Sequence, residues 1–141
     1  MIAYLDASVL LRVVLREADP LPEWDEIDLG ITSELTRVEA ARVIDRLTAL
    51  QVLQDEEIDE KYAEVADILR RVDLIELDEH ILARAAMPLP TVLGTLDAIH
   101  LASASVYRDI QSEDEPPIVL ATHDRALATA ARALRFRVIG A

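Results

Sequence analysis

Short apolar segments alternate along the chain with longer segments of helical periodicity, which is the order of elements that an α/β fold requires. The apolar segments predict strands at residues 2–5, 29–32, 74–77, 118–122 and 137–139. The periodic segments predict helices at about residues 6–16, 33–50, 58–72, 78–87, 96–107 and 125–134. We therefore expect an α/β fold with a parallel sheet, and a single domain over residues 1–141.

Two of the predicted helices have informative patterns. In the helix at 58–72 the apolar residues recur at helical spacing, with Asp and Glu on the opposite side: Ile58, Tyr62, Val65, Leu69 and Val72. The helix at 96–107 is apolar or small around nearly its whole circumference, so we expect it to be buried. Ser33 is expected to cap the helix at 33–50.

Composition narrows the class of protein. The 141 residues, 52% of them hydrophobic, suffice for one domain with a sizeable core. The absence of cysteine excludes a disulfide framework and a thiolate metal site. No apolar run approaches the length of a membrane span, and Asp6, Arg12 and Arg16 interrupt the opening where a signal peptide would be apolar. We expect a cytoplasmic protein with no membrane partner.

The net charge of −13 argues against general binding of nucleic acid, because phosphate contacts dominate such binding. Most acids, however, fall in three clusters at residues 17–28, 55–60 and 113–115, which predict solvated loops and one helix face. Five arginines lie near Asp6 and Glu39 in sequence: Arg12, Arg16, Arg37, Arg42 and Arg46. A local basic rim on an acidic protein is therefore one interpretation.

Four acids differ from the rest because apolar residues surround them in the sequence: Asp6, Glu39, Asp97 and Asp124. A carboxylate in such surroundings is rare unless it is paired, capped or bound to a cation. Asp6 and Asp124 each follow a predicted strand and precede a helix. Both are therefore expected at the carboxyl edge of the parallel sheet, where such folds bind ligands.

Each of these acids also has an ordinary structural interpretation. Asp6, Asp97 and Asp124 could be helix N-caps, a position that Asp fills well. Glu39 lies three residues before Arg42 and could form a helix-surface ion pair with it. These alternatives remain open from the sequence.

Taken together, the four acids predict a metal site. Two like charges about 4 Å apart repel by roughly 4 kcal/mol at an effective dielectric of 20, so carboxylates gather only if they are protonated or share a cation. Oxygen ligands without cysteine favour Mg²⁺ or Mn²⁺, and we expect His100 and His123 to be core or surface residues instead of ligands. Such ions promote phosphodiester hydrolysis by activating water and offsetting charge on a phosphoryl oxygen.

The chain resembles a PIN domain and, more narrowly, the VapC-type ribonuclease toxins of bacterial toxin–antitoxin pairs. Four segments carry this resemblance: Leu5-Asp6-Ala7-Ser8, Ser33-Glu34-Leu35-Thr36-Arg37-Val38-Glu39, Thr95-Leu96-Asp97-Ala98-Ile99-His100-Leu101-Ala102 and Thr122-His123-Asp124. The segment around Asp97 is the most specific, and the match covers essentially the whole chain in order. It implies a PIN-like three-layer α/β/α fold, with a central parallel sheet flanked by helices.

The resemblance also implies roles for individual residues. It assigns four acids to the catalytic set that holds one or two Mg²⁺ or Mn²⁺ ions: Asp6, Glu39, Asp97 and Asp124. It assigns supporting hydroxyl groups, beside the acids or the metal-bound water, to Ser8 and Thr122.

The implied function is that of an endoribonuclease toxin that cleaves single-stranded regions of RNA, often transfer or ribosomal RNA. Such proteins usually form dimers and are silenced by a cognate antitoxin, an arginine of which often enters the acidic pocket. Candidate contacts to RNA or antitoxin are Arg12, Arg16, Arg37 and Arg42, with helix-surface ion pairs as the alternative.

Two other functions remain open from the sequence. A phosphatase or phosphotransferase could use Asp6 as its nucleophile, although Ser8 stands where a second Asp would be expected and the only lysine, Lys61, lies in an acidic helix. A PIN-like binding module would pair with an antitoxin and no longer cleave RNA, although none of the four acids is missing.

Overall fold

The structure is a computed structural model that describes all 141 residues. Its strands are β1 (Ile2–Leu5), β2 (Leu29–Ser33), β3 (Asp73–Ile75), β4 (Val119–Ala121) and β5 (Val138–Ile139). They form one sheet in the order β3-β2-β1-β4-β5, and every neighbouring pair is parallel. The predicted α/β class with a parallel sheet is confirmed.

Six helices connect the strands: α1 (Ala7–Val14), α2 (Leu35–Ala49), α3 (Asp55–Leu69), α4 (Glu79–Ala85), α5 (Thr95–Ile110) and α6 (Arg125–Ala133). The predicted acidic loop at 17–28 contains one short 3₁₀ helix, Trp24–Glu26. Parallel strands need such crossover connections, which place helices on both faces of a sheet. None of the helices has both the length and the apolar composition that crossing a membrane requires.

The central strand β1 is buried on both faces. Its side chains alternate between the faces, as in any strand: Tyr4 joins the core formed with α5 and α6, whereas Ala3 and Leu5 join the core formed with α1. All three are at most 2% exposed. The result is a three-layer arrangement with the sheet in the middle, and the carboxyl end of β1 lies between its neighbours β2 and β4.

The helix α3 differs from its prediction in one detail, because Lys61 takes the place of Tyr62 on a predicted side that is otherwise half-buried. It ends at Leu69, so Val72 lies beyond it, and Tyr62 is 41% exposed. Lys61 is instead buried, at 6% exposure, and its Nζ donates to the carbonyl oxygen of Val14 at 2.9 Å. The aliphatic stem of a lysine can pack like an apolar residue, while its charge meets the negative C-terminal end of α1.

Ser33 is the last residue of β2, not the residue that directly precedes α2. Its hydroxyl nevertheless accepts a hydrogen bond from the backbone N–H of Leu35 at 3.1 Å. One of the free N–H groups at the start of α2 is therefore satisfied by the side chain that the sequence pointed to.

Candidate active site

The four predicted acids line one open cavity of about 430 Å³ at the carboxyl edge of the sheet. Asp6 directly follows β1, and Asp124 lies just beyond the neighbouring strand β4. Glu39 comes from α2 and Asp97 from the first turn of α5. The strand order therefore brings together residues that are far apart in the sequence.

Asp6 is held by two hydroxyl groups. It is 5% exposed, and its Oδ2 accepts hydrogen bonds from the hydroxyls of Ser8 at 2.7 Å and Thr122 at 2.5 Å. Each hydroxyl in turn accepts a backbone N–H from the turn after β4: Ser8 from His123 at 3.0 Å, and Thr122 from Asp124 at 2.9 Å. Because the hydroxyl oxygens are occupied as acceptors, their protons are directed to Asp6.

The N-cap interpretation applies to two of the acids. Asp6 accepts the N–H of Ser8 at 3.3 Å, and Asp124 Oδ1 accepts the N–H of Leu127 at 2.9 Å. For Asp97 it is wrong, because α5 begins at Thr95 and Asp97 lies within its first turn. Asp97 is therefore an acid in the cavity that no capping role explains.

Glu39 pairs with a buried histidine. Its Oε2 lies 2.7 Å from Nε2 of His100, whereas Arg42 pairs with Asp45 at 3.2 Å. The alternative Glu39–Arg42 ion pair is therefore wrong. His100 is 0% exposed, which agrees with its prediction as a core residue, and its Nδ1 lies 2.7 Å from the Tyr4 hydroxyl.

Two features of the sequence bear on this contact, which was not predicted. His100 lies three residues after Asp97, and therefore on the same side of a helix. Tyr4 lies two residues before Asp6, and alternation along a strand directs both to one face. Neither signal names the acid that His100 would meet, because Glu39 belongs to a different helix.

The acids interact electrostatically. Burial raises the pKa of Asp97 above its usual range, the negative charges of Asp124, Asp6 and Glu39 raise it further, and His100 partly opposes them. Burial lowers the pKa of His100, but its hydrogen bond to Glu39 and the charges of the nearby acids outweigh burial and leave the pKa above its usual value. The cavity thus favours positive charge.

The donor set fits a hard divalent cation. All four side chains offer carboxylate oxygens, which Mg²⁺ and Mn²⁺ prefer, and Glu39 and Asp124 each direct only one oxygen to a protein donor. No three His, Asp or Glu side chains stand in the arrangement of a preformed metal site. The fit to a cation therefore rests on the chemistry of the donors and not on a preformed geometry.

Only one of the four candidate contact arginines lines this cavity, namely Arg42. Arg12 and Arg16 form ion pairs with glutamates at 3.3 to 3.7 Å, which is the alternative stated for them above. Arg37 lines a separate groove between α2 and α3. The basic rim considered from the sequence therefore consists of one arginine, Arg42.

A larger groove of about 670 Å³ lies beside α4 and the first turns of α5 and is mainly apolar. The segment between these helices forms one side of it, with Met87 60% and Val92 98% exposed. None of the four acids lines this groove. The apolar groove and the acidic cavity are therefore distinct surfaces.

The chain belongs to the PIN-domain family, whose family model matches residues 3–133. Among curated proteins it is similar to Ribonuclease VapC35 of Mycobacterium tuberculosis, with 34% identity over 141 aligned residues that cover 96% of this chain and 94% of the relative. It is also similar to Ribonuclease VapC46 of the same species, with 35% identity over 102 residues and 72% coverage of each chain.

Solved structures agree on the fold. VapBC2 from Rickettsia felis, bound to a DNA fragment from its promoter, matches with a TM-score of 0.67 at 10% identity, covering 98% of this chain and 97% of that one. A toxin–antitoxin complex from Klebsiella pneumoniae matches with a TM-score of 0.55 at 19% identity, covering 89% and 90%. The resemblance to VapC-type PIN domains and the three-layer fold are confirmed.

Proposed function

We propose that this protein is a metal-dependent endoribonuclease, the toxin of a type II toxin–antitoxin pair, which hydrolyses phosphodiester bonds in transfer or ribosomal RNA. The observation that carries the proposal is the cavity at the carboxyl edge of the sheet, lined by Asp6, Glu39, Asp97 and Asp124. The relatives named as VapC ribonucleases support RNA as the substrate class.

In this proposal Asp6, Glu39 and Asp97 hold the principal ion and Asp124 completes the pocket. When bound, Mg²⁺ or Mn²⁺ supplies activation of water and neutralisation of charge at the scissile phosphate. Ser8 and Thr122 fix the orientation of Asp6 through the hydrogen bonds described above.

The partners follow from the same proposal. The similar Rickettsia and Klebsiella structures are toxin–antitoxin complexes, which supports a cognate antitoxin as partner. An acidic cavity with Arg42 as its one cation suits a basic side chain of that antitoxin. We further propose that residues 1–141 act as one PIN domain, in a homodimer in the cytoplasm, and that the net charge of −13 limits binding to non-target RNA.

The decisive experiment is cleavage of total cellular RNA by antitoxin-free protein with Mn²⁺ or Mg²⁺, with and without EDTA. We expect discrete products only from the wild type in the presence of metal. Removing an outer partner of a metal ligand costs about 10- to 100-fold in activity, and removing a ligand itself should cost at least as much. We therefore expect Asp97→Asn to lose at least about 10- to 100-fold in cleavage activity. Asp114→Asn, which changes an exposed loop acid in the same way, is the matched control and should cleave like the wild type.

Three results would contradict the proposal. Full cleavage by Asp97→Asn, or cleavage unaffected by EDTA, would remove the acids or the metal from the reaction. Equal growth arrest by the wild type and Asp97→Asn, each expressed without an antitoxin, would favour a binding module that does not cleave RNA.

A further inference from the structure

A buried chain of hydrogen bonds lies beneath the cavity and ends on one of its acids. It runs from the Tyr4 hydroxyl to Nδ1 of His100 at 2.7 Å, and from Nε2 of His100 to Oε2 of Glu39 at 2.7 Å. Tyr4 and His100 are both 0% exposed. The three residues come from β1, α5 and α2, which are also the elements that place Asp6, Asp97 and Glu39 around the cavity.

The direction of this chain follows from its partners. Burial raises the pKa of Tyr4 well above its usual value, so the phenol keeps its proton. If the imidazole is neutral, Tyr4 donates to Nδ1 and the ring proton lies on Nε2; if it is protonated, both nitrogens donate. In either state Nε2–H of His100 donates to the Glu39 carboxylate.

We propose that His100 is a positioning residue that holds the Glu39 carboxylate at the edge of the cavity, and that Tyr4 fixes the ring that does so. A glutamate side chain has several rotatable bonds, so an orienting donor reduces the ordering that ion binding requires. Donation to Oε2 leaves Oε1 for an ion, in the way that outer partners orient metal ligands. This inference rests on the proposed function, because it makes Glu39 a ligand.

The position of His100 between two acids supports this role. Its Nε2 lies 2.7 Å from Glu39 and 3.9 Å from Oδ1 of Asp6. One imidazole edge therefore faces two of the proposed ligands from below, on the side away from solvent. A buried imidazole N–H needs an acceptor, and here that acceptor is one of the four acids of the cavity.

Two substitutions separate the hydrogen bond from the packing. His100→Gln places an amide nitrogen near the position of Nε2, so it can still donate to Glu39. His100→Asn is shorter, places its amide near the position of Nδ1, and cannot reach Glu39. We expect Asn to weaken Mn²⁺ binding by about 10- to 100-fold, the usual cost of losing an outer partner of a metal ligand, and Gln to restore most of it.

Binding of Mn²⁺ alone, measured by titration calorimetry on RNA-free protein, is the first readout. The second is the melting temperature in EDTA for His100→Asn, Glu39→Met, which retains the stem but no oxygen acceptor, and the double variant. If His100 holds Glu39, the double variant loses less than the sum of the single losses, because the second change removes a contact already lost.

Additive losses in EDTA, or equal Mn²⁺ affinity of the Asn and Gln variants, would overturn the inference. Non-additive losses in melting temperature, together with weaker Mn²⁺ binding by His100→Asn than by His100→Gln, would support it. A wild type that binds no Mn²⁺ contradicts the proposed function and the role of His100 in ion binding, whereas the EDTA cycle still reports whether His100 holds Glu39.

Tyr4→Phe keeps the test decisive if the His100 variants do not fold, because it removes one hydroxyl and retains the ring. It should weaken Mn²⁺ binding relative to the wild type and should lower kcat for RNA with KM unchanged. Unchanged Mn²⁺ affinity together with unchanged kcat would count against the chain of hydrogen bonds.

Discussion

Asp97 is the acid of the cavity whose charge the protein compensates least. Asp6 accepts two hydroxyl hydrogen bonds, Glu39 meets His100, and Asp124 caps α6. Asp97 has none of these contacts, and burial together with the charges of the other acids raises its pKa. Its ionised form is therefore a cost to the fold in the absence of a cation.

This cost predicts that Asp97→Asn stabilises the protein in EDTA and that the gain depends on pH. Because folding raises the pKa of Asp97, the protonated carboxyl favours the fold at pH values below the unfolded pKa of 3.8. This contribution is lost as the pH rises through the folded pKa. The difference in melting temperature between Asp97→Asn and the wild type should therefore be constant below about pH 4 and should increase by a few degrees toward pH 7. A pH-independent difference would contradict the raised pKa.

The residue scale also shows what the sequence could predict. Asp6, Glu39, Asp97 and Asp124 were identifiable because each interrupts an apolar pattern, and the structure places all four around one cavity. The contact between Glu39 and His100 was not identifiable, because it joins residues 61 positions apart on two helices whose relative placement the sequence does not give. Arg42 was offered as a partner of Glu39 from local spacing within one helix, and it pairs with Asp45 instead.

At the scale of elements, the packing of α3 against α1 depends on a lysine. The carbonyl oxygen of Val14, a residue that is 2% exposed, accepts the hydrogen bond from Lys61. Hydrophobic periodicity correctly predicted that α3 exists, but it counted Lys61 as polar and Tyr62 as apolar. It therefore missed the one buried side chain of α3, because periodicity treats a residue as one unit whereas a lysine has an apolar stem and a charged end.

Two substitutions at neighbouring positions test this packing. Lys61→Met keeps the stem but leaves the Val14 carbonyl without its donor, so we expect a loss of about 1–3 kcal/mol in the free energy of unfolding. Tyr62→Met changes an exposed side chain and should stay within about 0.5 kcal/mol of wild type. Urea denaturation measures both, and a larger loss from Tyr62→Met than from Lys61→Met would contradict the role of Lys61 in this packing.

At the scale of the whole molecule, the proposed metal site predicts that stability depends on divalent ions. If Mg²⁺ binds only the folded protein, a concentration 100 times its Kd adds about 2.7 kcal/mol to the free energy of unfolding. The melting temperature should therefore rise with Mg²⁺ in the wild type and rise much less in Asp97→Asn. No shift at millimolar Mg²⁺, or equal shifts in both proteins, would contradict an ion held by these acids.

The strand order has a consequence for the synthesis of the protein. The hydroxyl of Thr122 reaches Asp6 across 116 positions of sequence, and β1 acquires its neighbour β4 only after α5 has been made. A nascent chain that ends at α5 therefore lacks Thr122, Asp124 and one side of the site. Contacts of such long range also form slowly. A growing chain beside ribosomal RNA thus cannot complete its proposed nuclease centre until nearly the whole sheet has been translated.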